Sequence, residues 1–104
     1  MYRQGDVLVI PVKALPKGLV AVERENGRAV LAHGEATGHA HAIKDDRAAL
    51  FSDPKLAAIF MYVSGDSSVA LEHDEHSTVL VPPGNYLVIR QREYSPEAIR
   101  NVAD

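Results

Sequence analysis

The sequence predicts an all-β fold, a small antiparallel barrel or sandwich of about eight short strands. Three observations carry that expectation. Runs of four to eight β-branched or aromatic residues recur along the chain, turn residues punctuate them at close spacing, and no segment has the length and period of a crossover helix. With 104 residues the chain suits a single β-barrel-like domain spanning 1–104 with one modest core.

Asp6 to Val12 reads as a first strand, and Pro11 places it at an edge or a strand end. Leu15 to Gly18 turns the chain into a second strand, Leu19 to Glu25. Asn26-Gly27 is the strongest hairpin signal, because a type I′ turn needs positive φ at both central residues. It predicts pairing of the second strand with a third, Arg28 to His33, and a meander with a fourth at Ala40 to Ile43. Lys44 to Arg47 is a charged turn, followed by a short strand at Ala48 to Phe51. Pro54 to Ser64 is ambiguous: Leu56-Ala57-Ala58 suits a helical turn and Ile59 to Val63 a strand. Ser68 to His73 and Thr78 to Val81 read as strands, and Pro82 to Asn85 as a turn. Tyr86 to Tyr94 is the longest strand candidate, with mixed faces that suit a strand running from the core to a polar rim. Ser95-Pro96 resembles an N-cap with proline at N1, which predicts a short C-terminal helix over Pro96 to Val102.

The chemistry concentrates in His33-Gly34-Glu35-Ala36-Thr37-Gly38-His39-Ala40-His41, where three of the five histidines fall within nine residues. If the flanking strands pair across the loop, His33 faces His39, and His41 lies on the same side opposite Leu31. Three imidazoles on one face suit a divalent transition metal, and three protein ligands leave a position for water or substrate. The expected metal ligands are therefore His33, His39 and His41. With no cysteine in the chain, a transition-metal site must use histidine and carboxylate. The competing reading is a solvated hairpin tip.

A second cluster, Leu71-Glu72-His73-Asp74-Glu75-His76, lies at a strand end. Read alone it is a solvated acidic turn; meeting the first cluster in space, it adds His73 and His76 as catalytic groups. Glu35 is the other candidate ligand or general base, against the plainer reading of a loop carboxylate in water. Arg90 and Arg92, with Tyr94, form a candidate substrate-binding face, because guanidinium forks bind phosphate or carboxylate oxygens bidentately. The alternative is an exposed strand face paired to nearby acids.

A glycine-bounded His39-Ala40-His41 with a later Pro82-Pro83-Gly84 resembles the cupin superfamily, whose small β-barrels often hold iron, manganese, nickel or zinc. Over residues 34 to 87, Gly34 stands one residue closer than that pattern asks, and Asp45 or Asp46 takes the place of its glutamate. Leu87 occupies the position of the second motif's histidine, which that resemblance would fill from His33, His73 or His76. The combination HGEATGHAH with QREY also looks like small bacterial proteins of unassigned function.

Three functions compete. The first is a metal-binding β-barrel, expected to act as a hydrolase because metal lowers the pKa of bound water to about 7. The second is a metal-free phosphodiesterase or nuclease using paired histidines as acid and base, with arginine on a small phosphate-containing substrate. The third is a non-catalytic binding or regulatory module. Eleven basic against 14 acidic residues, a formal net charge of -3, argue against grip on an extended nucleic-acid backbone. No apolar run approaches the roughly 20 residues of a membrane span, and the start lacks signal-peptide character, so the expectation is a cytoplasmic protein away from membranes. Assembly into a homo-oligomer is left open.

Overall fold

The computed structural model describes residues 1–34 and 39–91. Among these residues are ten short strands: β1 (Tyr2–Gln4), β2 (Val7–Val12), β3 (Val20–Ala21), β4 (Ala29–His33), β5 (Ala40–Ile43), β6 (Ala48–Asp53), β7 (Ala58–Val63), β8 (Val69–Glu72), β9 (Val79–Val81) and β10 (Gly84–Arg90). They form two open antiparallel sheets, ordered β1-β2-β10-β7-β6-β3 and β4-β5-β8-β9. The arrangement is a sandwich and not a closed barrel. Among the described residues no helix is long and apolar enough to cross a membrane.

Alternation builds the core. Along β2, Val7 and Val9 are buried; along β10, Tyr86 and Val88; along β8, Val69 and Leu71. They meet Ile43, Met61, Val63 and Val81 in one apolar cluster between the sheets. Pro54 to Ser64 resolves in favour of a strand: residues 54–57 turn, and Ala58–Val63 pairs with both β6 and β10. Tyr86 lies in the core and its hydroxyl donates to Pro82 O at 2.5 Å.

Several expectations need correction. β1 was not anticipated. It pairs with β2 across the two-residue loop Gly5-Asp6, and φ of +57° at Gly5 suits a turn whose first loop residue has positive φ. Asn26 and Gly27 both have positive φ, as the turn chemistry requires, but the flanks hold only one bridge, Glu25 to Arg28. The predicted meander therefore fails. β3 pairs with β6 in the first sheet, while β4 opens the second, so the Asn-Gly turn is a crossing between sheets.

Arg24 holds that crossing. Its Nη1 donates to Ala48 O at 2.8 Å, and its Nη2 lies 2.9 Å from Gly27 O and 3.1 Å from Lys44 O. One guanidinium thus gathers carbonyls from both sheets. Charge-assisted bonds of this kind are worth more than neutral ones. The strand expected over Tyr86 to Tyr94 starts earlier, at Gly84, and is described to Arg90. The helix expected over Pro96 to Val102 lies outside the described residues.

Replacing Arg24 with alanine should lower stability by about 1.5–3 kcal/mol, the range for a bond made by a charged group. A urea unfolding curve measures it as a lower midpoint with an unchanged slope.

Candidate functional site

The site is the end of the sandwich at which β1, β8 and β10 finish and β2 and β5 begin. Two cross-strand rows build it. In the first sheet Gln4 pairs with Val7, and Val7 pairs with Arg90, so Gln4 and Arg90 lie on the core-facing side at the last row of the core. In the second sheet Ile43 pairs with Leu71 and Ala42 with Glu72. One step further along the same register sets His41 against His73. The core thus ends in a polar layer shared between the sheets.

Gln4 closes it. Its Nε2 donates to Leu71 O at 2.8 Å and to Ser77 O at 3.0 Å, while its Oε1 lies 2.9 Å from His41 Nδ1. Because both amide hydrogens are spent on carbonyls, Oε1 must accept, and the bond pattern assigns the His41 proton to Nδ1. Neutral His41 therefore carries a lone pair on Nε2. That nitrogen lies 3.5 Å from Asp6 Oδ1.

Four imidazoles crowd here. Ring centroids lie 4.3 Å apart for His41 and His73, 4.8 Å for His73 and His76, 5.8 Å for His41 and His76, and 5.9 Å for His39 and His73. His39 lies just before β5, two residues ahead of His41. Its Nδ1 is buried and forms no hydrogen bond, although Glu75 Oε1 approaches to 2.7 Å, so that approach lies off the ring's bonding direction. Asp74 Oδ2 is 3.7 Å from its Nε2. His73 Nδ1 accepts from the Glu75 N–H at 3.0 Å. His76 leans over Gly5, where an added Cβ would stand 2.6 Å from its Nε2.

His33 is not part of this group. The predicted register holds at Ala29 with Ile43 and Val30 with Ala42, but a bulge follows, after which Ala32 faces His41 and His33 faces Ala40. One extra residue at Leu31 turns His33 away from His41. Its side chain is 66% exposed and its Nε2 sits 3.2 Å from Glu25. The structure thus brings together His39, His41, His73 and His76, and leaves His33 outside. Arg90 reaches the same layer, donating from Nε to Asp6 Oδ2 at 3.2 Å. Glu35, Arg92 and Tyr94 lie outside the described residues. Among those described, no group of three or more His, Asp or Glu is placed to hold a metal ion.

Sequence reasoning missed Gln4 and Asp6. The signal was present in Gln4-Gly5-Asp6-Val7, a glycine-led pair before a β-branched run, but the three-residue Tyr2-Arg3-Gln4 strand has little β character of its own.

Burial, and next to it the neighbouring His73, pushes the His41 pKa down from 6.5 to about 4. A group whose folded pKa is depressed takes up its proton first in the unfolded chain. Its contribution is complete above pH 6.5 and is lost as the pH falls toward about 4. For metal-free protein, urea midpoints should fall across that window, with His41 accounting for up to about 3 kcal/mol. His41→Asn should be less stable at neutral pH yet show a shallower fall. Gly5→Ala should both strain the turn by about 1 kcal/mol and displace the His76 ring, visible as a shifted imidazole proton resonance.

No curated protein and no solved structure matches the chain. A family pattern matches it over residues 3–91, and the protein belongs to that family, described as a domain of unknown function, DUF8820.

Proposed function

We propose that the polar end of the sandwich binds one divalent transition metal and uses it on a small substrate, as a metal-dependent hydrolase. The observation that carries this reading is the pairing of two acceptors: the His41 Nε2 lone pair and Asp6 Oδ1, 3.5 Å apart. An imidazole nitrogen and a carboxylate oxygen are both ligand types that divalent transition metals accept. At neutral pH a proton on His41 is disfavoured, since its pKa is held at about 4. Ligands on zinc at about 2.0–2.2 Å in a tetrahedron lie roughly 3.4 Å from one another, so this pair already stands at ligand spacing.

The remaining ligands come from His73, His76 and His39, whose rings must turn on their side-chain bonds to complete the set. The Gln4–His41 bond is the outer-shell contact that metal-bound histidines need to hold their tautomer. A bound metal supplies Lewis acidity. Around it, Arg90 offers a cation to a substrate oxyanion, and the exposed turn that carries His76 leaves the site open to water and substrate.

The test is metal uptake by protein purified without an affinity tag and stripped with EDTA, titrated with zinc, nickel, manganese and ferrous ions. One equivalent is expected. His41→Ala and Asp6→Asn should abolish tight uptake, Gln4→Leu should weaken it about 10–100-fold, and His33→Ala should leave it unchanged. Uptake below a tenth of an equivalent, or equal loss in His33→Ala, would overturn the proposal.

One observation favours a metal-free reading instead. His73 accepts at Nδ1, so its neutral ring carries its proton at Nε2, whereas neutral His41 carries a lone pair there. Rings 4.3 Å apart with those two states make an acid and a base for phosphoester cleavage. Phosphodiesterase activity that survives EDTA and disappears in both His41→Ala and His73→Ala would select it.

A further inference from the structure

We infer that the cleft beside the histidine cluster is a binding site for a small amphipathic carboxylate, with its apolar body between the sheets and its anionic head on Arg90. The cleft has a volume of about 560 Å³ and lies between the bulged part of β4 and the neighbouring ends of β7 and β10. That size falls within the roughly 300–1,000 Å³ of small-molecule sites.

Its walls are apolar, with Leu31, Ala58, Ile59 and Leu87 among them. Leu56 forms a lip and is 68% exposed. Next to it Ala57 holds φ of +52°, a conformation that costs a non-glycine residue about 1–2 kcal/mol. Among the described lining residues, Arg90 alone carries a permanent charge; its carboxylate partner Asp6 stands behind the lining, and His33 is the other titratable group.

The charge pattern selects the ligand. An alkyl chain fits the walls, and the N–H donors of Arg90 that Asp6 does not take suit the two oxygens of one carboxylate. Asp6 holds Arg90 by Nε, one of its five N–H donors, which orients the group without exhausting it. Asp6 also faces His41, so the head group bound on Arg90 stands next to the histidine cluster. Binding in the cleft is independent of the metal; that the ligand is a substrate rests on the metal reading above.

Octanoate is the probe, titrated into isotope-labelled protein with amide chemical shifts as the readout. Saturable shifts are expected at Leu31, Ala32, Ala58, Ile59 and Leu87 to Arg90, with octanol binding at least about tenfold more weakly, as the loss of a charge-assisted contact implies. Arg90→Leu should bring octanoate down to the octanol level, Arg90→Lys should retain most of the affinity, and Ala58→Trp should block both probes. Equal affinity for octanoate and octanol, unchanged affinity in Arg90→Leu, or shifts mapping outside the cleft would overturn the inference. If Arg90→Leu does not fold, Arg90→Lys and Ala58→Trp still decide it. Repeating the titration with EDTA and then with zinc separates the two readings. Failure of the metal site appears as histidine signals that zinc does not move, and failure of the cleft as cleft amides that octanoate does not move.

Discussion

The contact between Gln4 and His41 is the constraint on which this end of the molecule depends. An amide and an imidazole are both buried at the last layer of an apolar core, where an unpaired polar atom costs several kcal/mol in transfer terms, roughly 2–7. Gln4 meets that cost by using its whole side chain: two donors on Leu71 and Ser77 carbonyls and one acceptor on His41. Since Gln4 belongs to the first sheet and the other three to the second sheet or its loop, the same bonds close the sandwich. They also leave the histidine only one tautomer. A structural clasp thereby becomes a device that aims a lone pair.

Asp6 extends that logic outward. Its backbone oxygen accepts from Gln91 N at 2.6 Å, its side chain accepts from Arg90, and its other carboxylate oxygen faces His41. The residue is therefore fixed by the end of β10 and shared between the histidine layer and the neighbouring cleft. The turn that carries it is anchored by Gly5, where positive φ and the close approach of His76 both exclude a side chain. A first-sheet turn and two second-sheet strand ends thus converge, although they are far apart in the chain.

The local features were legible in the residues and the long-range ones were not. Turn chemistry at Asn26-Gly27 and burial alternation along β2 and β8 follow from short-range rules of φ and period, and the grouping of His39 with His41 from their nearness in the chain. The partner of the second strand did not: Val20 and Ala21 pair with Phe51 and Ser52, about thirty positions away, and nothing local distinguishes that from pairing across the Asn-Gly turn. The meeting of His73 and His76 with His41 depended on β5 lying beside β8, a choice made by core packing of Ile43 against Leu71. Gln4 was hidden for a related reason. A three-residue strand is held by its neighbours and carries no periodic signature of its own.

The bulge in β4 explains why the histidine hairpin was half right. Up to Val30 the register is the one that alternation demands, with Ala29 inward against Ile43. Leu31 is also inward and buried, so the chain accommodates two consecutive core-side residues, Leu31 and Ala32, by inserting one unpaired position. A slip of one residue exchanges faces, and His33 leaves the side on which His41 stands. The same stretch, Leu31 to His33, then forms a wall of the apolar cleft. A single local distortion therefore does two things at once: it limits the imidazole layer to the residues that Gln4 and Asp6 can organise, and it places a bent edge strand beside Arg90 with apolar surface facing the space between the sheets. Straightening the strand would return His33 to the cluster at the expense of the wall.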